Sequence, residues 1–450
     1  MMLSDKKEKW GVCVFLSCAL ILTLCFAESA WAQLPKPKTL QAKPKLPDTP
    51  KVPANVLKPE DVAPAKKKPF YSGLFDMDKD KPRLHVGLLE LHPYASIQEK
   101  YDTNIMLEPR GQGNMDWITD YRTGLAAQMP FIPSRGDDYF AEAYYHADFI
   151  HFARHDKLSR IDHTAHGSVR CKFPNDIGVR ITEDFLKTQD PPNNERTLLT
   201  KRWQNKLDAR VDYTREKVKL ESAYTVTMNR YIEFSNLDYD DHMITGTTFY
   251  KIATKTWLLG EFNYGRIRYH KSPTNSDSSY YQGRIGVEGK IAPKLTGTLK
   301  LGGRYQGYSR PEAKDYAGFT AFLNIKYEIT KRTNLNFYGE TRPEEASYAT
   351  NSFYTANILG LKFDHLLMRR LRMNGGTFWA YNRYPSETRE GDKTAKRQDT
   401  LWGISVGFKY EIVKETLFFE PEYVVKQRHS NFHNFSYKDQ QVILRGSLLF

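Results

Sequence analysis

The stretch that decides the fold is "KLTGTLKLGGRYQGY", residues 294–308. Apolar residues such as Leu299 and Leu301 occupy its odd positions, and polar residues such as Lys300 and Arg304 occupy its even positions. A period of two predicts a β-strand with one apolar and one polar face. Such a strand fits a soluble β-sandwich, and it also fits an outer-membrane barrel whose apolar face meets lipid and whose polar face lines a lumen.

The same alternation recurs along the chain from residue 84 onward. Clear examples are "YYQGRIGVEGK" (280–290), "AGFTAFLNIKYE" (317–328) and "TLWGISVGFKY" (400–410). A longer repeat of about 40 residues aligns Ile252, Ile291, Ile329 and Ile412. Each unit has room for two strands of roughly ten residues or more, the length that crosses a bilayer at a tilt. The repeat therefore indicates transmembrane hairpins, each with a short basic turn on one side and a longer polar loop on the other.

Counting turns gives the size of the barrel. Short hairpin turns are expected at residues 131–136, 174–176, 214–217, 251–255, 291–294, 329–332, 365–370 and 411–415. Eight turns join sixteen strands, and a first and a last strand make 18, within a range of 16 to 20. The fold class is all-β: a closed antiparallel transmembrane β-barrel. Long hydrophilic loops are expected on the opposite rim, for example at 270–279, 309–315, 342–351 and 385–399.

Composition and the last strand favour the membrane. The 450 residues are 26% charged, too polar for a helical membrane protein, yet they include 28 Tyr and 25 Phe, which supply aromatic belts. The end of the chain, "QQVILRGSLLF", is an amphipathic strand with a terminal Phe450 that resembles the C-terminal signature of bacterial outer-membrane barrels. Lipid is therefore the expected partner of Leu295, Leu299, Leu301 and Tyr305, whereas Lys300, Arg304 and Gln306 are expected to face a lumen.

The N-terminus predicts export. Residues 1–32 combine a charged start, a long apolar run and a small-x-small site at Ala30 and Ala32, which is typical of a signal peptide. An uncleaved inner-membrane anchor is the alternative, because the apolar run is long. Three of the four cysteines would leave with this segment, so only Cys171 would remain and no intrachain disulfide would form. The predicted location is the outer membrane.

Residues 33–69 carry nine prolines and nine lysines against three acidic residues. This composition predicts a disordered Pro/Lys-rich periplasmic tether, either a plain spacer or a segment that couples the barrel to an envelope partner. The barrel domain is assigned to residues 70–450.

Charged residues on the predicted inner face define the candidate site. The channel-lining residues selected are Arg170, Lys172, Arg180, Arg210, Arg284, Glu288, Lys300, Arg304, Lys326, Arg372, Tyr308 and Tyr316, and further acidic residues on this face are Asp184, Asp208, Asp212, Glu420 and Glu422. One interpretation is a polar conduit with a slight preference for anions; the other is a ladder of mutually neutralising cross-strand ion pairs.

Several aromatic residues also lie on the polar face: Tyr280, Tyr308, Tyr316, Phe322 and Tyr338. Their rings either offer stacking surfaces for sugars or belong to interfacial girdles and pack under loops.

Signals for catalysis are poor. The pairs His151/His155 and His163/His166 lack a third ligand at a suitable spacing, and no G-x-S-x-G motif occurs. No enzyme activity, no cofactor, no metal and no nucleic-acid partner is expected.

The start of the barrel carries a family resemblance. Residues 95–109 read "ASIQEKYDTNIMLEP", with Glu99, Tyr101, Asp102, Asn104 and Ile105, and are followed by "DWITDYRTGLA". These elements resemble the opening of a β-barrel porin family often associated with exopolysaccharide gene clusters. The resemblance implies an outer-membrane conduit and, as the leading expectation, a port for export of a surface polysaccharide, with a periplasmic export protein as partner. A general diffusion porin and a docking barrel with a closed lumen are the alternatives.

Overall fold

The structure is a computed structural model that describes residues 84–109, 113–132, 138–193, 195, 199–271, 275–347 and 351–450. The predicted signal peptide and tether lie outside the described residues. No helix in these ranges is long and apolar enough to cross a membrane.

The described chain is almost entirely β-strand. The first strands are β1 (Leu84–Val86), β2 (Leu89–Asp102), β3 (Asp116–Pro130), β4 (Tyr139–Phe152), β5 (Arg160–Lys172), β6 (Ile177–Thr188), β7 (Arg202–Arg215), β8 (Val218–Tyr231), β9 (Tyr239–Ala253) and β10 (Thr256–Tyr269). The remaining strands are β11 (Ser278–Ala292), β12 (Leu295–Tyr308), β13 (Tyr316–Thr330), β14 (Thr333–Glu345), β15 (Phe353–Met368), β16 (Leu371–Glu390), β17 (Lys393–Val413), β18 (Leu417–Ser430) and β19 (Tyr437–Leu449). Three short 3₁₀ turns lie in loops, at Asp156–Leu158, Ser235–Leu237 and His433–Phe435.

Strands β2 to β19 form a closed barrel of 18 antiparallel strands. Each pairs with its neighbour in sequence, and β19 pairs with β2 from Gln441↔Asp102 to Leu449↔Tyr94, which closes the ring. β1 forms a small hairpin with the start of β2 through Gly87, whose φ of +65° is a backbone conformation that glycine adopts without strain. The predicted fold class and the count of 18 strands are confirmed, and each predicted short turn overlaps the connection between two successive strands.

The two faces of the wall follow the alternation. On β12, Leu301 and Tyr305 are 42% and 49% exposed on the outer surface, whereas Gln306 is 1% exposed. Residues directly opposite each other in the ladder share a face, so the inner face can be followed from strand to strand through the register.

One predicted loop has regular structure. Residues 385–399 are expected to form a long hydrophilic loop, and in the structure β16 and β17, 20 and 21 residues long, continue through this segment as a paired hairpin to Glu390↔Lys393. The hairpin turns at Gly391, with φ of +59°, and it is held to the loop before β19 because Glu390 accepts the N–H groups of His433 and Asn434. A second predicted loop, 342–351, begins later than expected, because residues up to Glu345 belong to β14.

Candidate functional site

The lumen wall contains a compact ion-paired cluster on β10, β11 and β12. Arg284 donates to Glu261 from Nε at 2.8 Å, and Lys300 donates to the other carboxylate oxygen at 2.5 Å. Asn263 also donates to Glu261, at 3.1 Å. The structure thus places the predicted lining residues Arg284 and Lys300 on one carboxylate. Sequence reasoning missed Glu261, whose position opposite Arg284 is evident only from the register.

Arg304 and Tyr280 form a second pair on the inner face. The Arg304 guanidinium lies 3.6 Å from the centroid of the Tyr280 ring and donates to Gln306 at 2.6 Å. Tyr280 also lies across Gly265, where an added Cβ would be 2.1 Å from Cζ of the ring. Tyr280 is 2% exposed, which favours wall packing over sugar stacking.

The predicted residues Tyr308 and Tyr316 lie at the long-loop ends of β12 and β13. The Tyr308 ring is stacked on Phe353 with centroids 5.9 Å apart, and Tyr316 meets the edge of the same ring at 5.4 Å. Tyr308 also donates to Glu345 at 3.1 Å, together with Gln306 at 2.7 Å and, from β10, Tyr269 at 2.9 Å.

The hydrogen bonds of Glu345 with Tyr308, Gln306 and Tyr269 bring the end of β14 against β10 and β12. Pairing between β13 and β14 stops at Ala321↔Thr341. Two residues later stands Pro343, which has no N–H to give to a neighbouring strand. The departure from β13 lets Glu345, which sequence analysis assigned to an outer loop, reach the lumen wall.

Three predicted arginines lie side by side on β5, β6 and β7. Arg180 is directly opposite Arg170 on one side and Arg210 on the other. Lys172 lies one inward position further toward the short turn, opposite Gly178. We call Arg170, Arg180 and Arg210 the arginine row.

The last three predicted lining residues are dispersed. Glu288 is opposite Thr298, Lys326 pairs with Glu328 at 3.0 Å, and Arg372 pairs with Asp364 at 3.2 Å. None of these three pairs connects to the cluster around Glu261 or to the arginine row. Some of the predicted lining charges, such as Lys326 and Arg372, thus form ion pairs on the wall, whereas Glu288 lies opposite a neutral threonine.

Strands β14–β17 form a filled section of the wall, which we call the packed wall. Its inward side chains Tyr338, Ile358, Ala380 and Leu401 form one buried apolar cluster against Phe378. Next to it, Arg397 is 2% exposed and forms a two-pronged ion pair with Asp399. The Arg397 guanidinium lies 3.5 Å from the centroid of Phe435 and 4.5 Å from that of Tyr384. Of the predicted aromatic residues, Tyr338 is therefore part of wall packing.

Two loops meet across the mouth on the long-loop side. The backbone N–H of Ser347, in the loop after β14, donates to Glu195, in the loop after β6. These loops are eight strands apart in a ring of 18 and therefore start from nearly opposite sides of the barrel. We call this contact the loop bridge. No sequence pattern marked Glu195 or Ser347, because their contact joins residues 152 positions apart.

Glu195 is fully buried at this bridge, and one of its oxygens has no hydrogen-bond partner among the described residues. Burial raises the pKa of the Glu195 carboxyl to about 7, while the positive charges of Arg397 and Arg428 and the Ser347 N–H limit that rise. The carboxyl is thus poised to change charge near neutral pH.

The histidines do not assemble into a metal site. His155 contacts Asp116 at 2.7 Å, His166 contacts Asp184 at 2.7 Å, and His163 contacts the Tyr145 hydroxyl at 2.8 Å. Among the described residues, no group of three or more His, Cys, Asp or Glu side chains is placed to hold a metal ion.

A closed barrel with an apolar outer belt and a charged lumen defines an outer-membrane β-barrel protein. The family described as Putative beta-barrel porin 2 matches residues 84–447, and the chain belongs to that family. No curated protein matches the sequence.

The chain is also similar, at low sequence identity, to several solved structures. OpdK from Pseudomonas aeruginosa is 10% identical, with 80% of this chain and 99% of OpdK covered and a TM-score of 0.45. OccK2 (OpdF) from the same organism is 10% identical, with 80% and 98% covered and a TM-score of 0.45. The siderophore receptor PirA from Acinetobacter baumannii is 8% identical, with 82% and 81% covered and a TM-score of 0.41.

Proposed function

We propose that this protein is a passive outer-membrane channel for small hydrophilic solutes, narrowed on its long-loop side by the loop bridge. The family is one of porins. A barrel of 16 to 18 strands is wide enough to leave an aqueous passage. Charged side chains such as Arg180, Asp184 and Lys206 on the inner face of β6 and β7 are at least partly exposed, which suits a water-filled lumen.

The single observation that carries the proposal is the loop bridge itself. The Ser347–Glu195 hydrogen bond joins nearly opposite sides of the mouth. A long polymer would have to part this contact to pass, whereas a small solute could pass beside it. A diffusion channel therefore fits the geometry better than the polysaccharide port expected from the sequence, and export of a polysaccharide stays a prediction.

Conductance and solute size distinguish the three functions. The full chain would be reconstituted in planar bilayers for single-channel recording in KCl, and in liposomes for swelling with sugars from monosaccharides to long oligosaccharides. We expect stable conductance and swelling rates that fall steeply with sugar size. Absence of conductance would favour a closed docking barrel, and passage of long oligosaccharides at rates close to those of monosaccharides would favour the export port.

A matched pair of variants tests the bridge. Glu195→Ala should widen the size limit in liposome swelling, because the bridging carboxylate is removed. Glu312→Ala is the control, since Glu312 is an exposed glutamate of the loop after β12 that makes no hydrogen bond or ion pair with the described residues. Equal size limits for wild type and Glu195→Ala would argue against narrowing by this bridge.

Coupling of residues 33–69 to an envelope partner remains a prediction from the sequence.

A further inference from the structure

We propose that the arginine row is a binding site for oxyanions, the carboxylate or phosphate groups of small solutes that pass through the lumen. The inference rests on the proposed channel function and names the class of solute that the channel would favour. The row lies on strands β5, β6 and β7, close to the short-turn rim, since β5 ends at Lys172.

The geometry of the row brings three cations together. Arg170↔Arg180 and Arg180↔Arg210 are direct cross-strand pairs on one face. Side chains in such positions start about 5 Å apart, within reach of one common ligand. Like charges placed directly opposite each other destabilise a sheet, so the arrangement has a cost in the empty barrel.

The protein neutralises Arg210 but leaves Arg180, at the centre of the row, without an ion-pair partner among the described residues. Arg210 donates to Glu221 at 2.6 Å and lies 3.5 Å from Asp208. Arg170 lies over the Phe140 ring at 5.9 Å. The Arg180 side chain has no hydrogen bond, ion pair or ring contact among the described residues, and it is partly exposed to the lumen.

The two inward carboxylates of β7 that flank Arg210 do not fill this gap. Asp208, opposite Thr182, pairs with Arg210, and Asp212 lies opposite Gly178, where an added Cβ would be 2.5 Å from its Oδ1; neither is within ion-pair distance of Arg180. By contrast, in the cluster on β10–β12, Glu261 lies between two cations and holds both. In the arginine row no described carboxylate pairs with Arg180 in this way, so an anionic ligand could take that role.

Guanidinium groups are suited to this task. Their planar N–H donors match the two oxygens of a carboxylate or phosphate, and such charge-assisted hydrogen bonds are about twice as strong as neutral ones. Arg180, whose charge has no ion-pair partner among the described residues, would be the main donor to such a ligand, with Arg170 directly opposite it on β5.

The test uses inorganic phosphate as a blocker of single-channel KCl current through the full chain. Compared with wild type, Arg180→Gln should weaken the phosphate block by at least about fivefold, because a charge-assisted donor is lost. Arg180→Lys should weaken the block less, because the positive charge remains and only the planar, two-pronged donor geometry of the guanidinium is lost. Arg332→Gln, which removes an exposed arginine from the turn after β13, should leave the block within about twofold, since surface charges at a distance are screened by salt.

An unchanged block in Arg180→Gln would overturn the site, and so would an equal loss in Arg332→Gln, which would indicate a general effect of net charge. If the wild type shows no conductance, the proposed function fails instead. Calorimetric titration of phosphate into the detergent-solubilised full chain then decides the site alone: binding that Arg180→Gln weakens supports it, and binding equal in both proteins overturns it.

Discussion

The packed wall on β14–β17 and the wall on β5–β7 are built from the same kind of strand yet differ inside the barrel. On the packed wall, Leu401 is 1% and Ala380 is 1% exposed within an apolar cluster, and the neighbouring Arg397 is enclosed by aromatic rings. On β5–β7, the inward residues around Arg180 are mostly half-buried and charged. The difference indicates that one side of the barrel is filled by apolar and aromatic packing, while the other presents half-buried charges to the lumen.

The largest effect should come from truncating the packed wall. Leu401→Ala removes a buried side chain and should lower the free energy of unfolding by about 2–5 kcal/mol. Leu186→Ala is the matched control: Leu186 is an inward leucine of β6 that is only half-buried, so its loss should be clearly smaller. Denaturant unfolding of both variants in micelles, followed by tryptophan fluorescence, measures the difference. Equal losses would remove the distinction between the two walls.

The next effect concerns aromatic rings that lie across glycines in the wall. Direct cross-strand pairs of this kind are Tyr94↔Gly124, Tyr280↔Gly265, Tyr338↔Gly360 and Phe378↔Gly403. In Gly360→Ala the new Cβ would be 2.1 Å from Cζ of Tyr338, so the ring must move. We expect a loss of about 1–3 kcal/mol from overpacking.

Two controls sharpen this prediction. Gly167→Ala on β5, where nothing lies within 4 Å of the added Cβ, should be close to neutral in the same unfolding assay. Adding Tyr338→Ala to Gly360→Ala should make the two changes non-additive, because the clash disappears with the ring. A neutral Gly360→Ala, or strict additivity, would contradict the close approach.

The loop bridge links the packed wall to the opposite side and should make conductance depend on pH. Burial of Glu195 at the closed bridge raises the pKa of its carboxyl from the ordinary 4.5 to about 7, and this effect exceeds the lowering by the Ser347 hydrogen bond and the nearby arginines. The closed state therefore binds the proton more tightly, and closure is favoured as pH falls from about 7 toward 4.5. The charged and titratable groups that act on Glu195 are Arg397 and Asp399 of β17, Arg428 of β18, Tyr354 of β15 and Tyr384 of β16, together with the Ser347 N–H.

Single-channel recording at pH 8 and pH 5 measures this effect. The ratio of closed to open time should rise by about tenfold or more on acidification, since one unit of pKa shift corresponds to a factor of ten. Glu195→Gln, which imitates the protonated carboxyl, should be largely closed and insensitive to pH, whereas Glu312→Gln should respond as wild type does. Higher conductance at pH 5 than at pH 8 would reverse the assigned sign.

The contrast between the walls also shows what the sequence could and could not predict. Strand number and turns were predictable, because alternation and turn composition are local properties. The extension of the β16–β17 hairpin was not predictable, because its sequence is polar on both faces and lacks the alternation that marks a strand.

The site was predictable only in part. Arg170, Arg180 and Arg210 were assigned to the inner face, yet their adjacency depends on strand register. Glu261 and the loop bridge depend on contacts between distant segments, which leave no periodic signal in a single sequence.

The smallest effect should come from the arginine row itself. If Arg180 is placed between two like charges for binding and not for stability, Arg180→Gln should raise the free energy of unfolding by about 0.5 kcal/mol at low salt, since opposed like charges cost about 0.2–1 kcal/mol. The gain should vanish near 1 M NaCl, where the screening length is about 3 Å.

Arg210→Gln is the informative contrast, because it leaves Glu221 without its 2.6 Å partner and should not stabilise the barrel. Denaturant unfolding at both salt concentrations measures all three proteins. A salt-independent loss of stability in Arg180→Gln would mean that Arg180 is a structural element of the wall, and the β5–β7 side would then resemble the packed wall more closely than its exposed charges indicate.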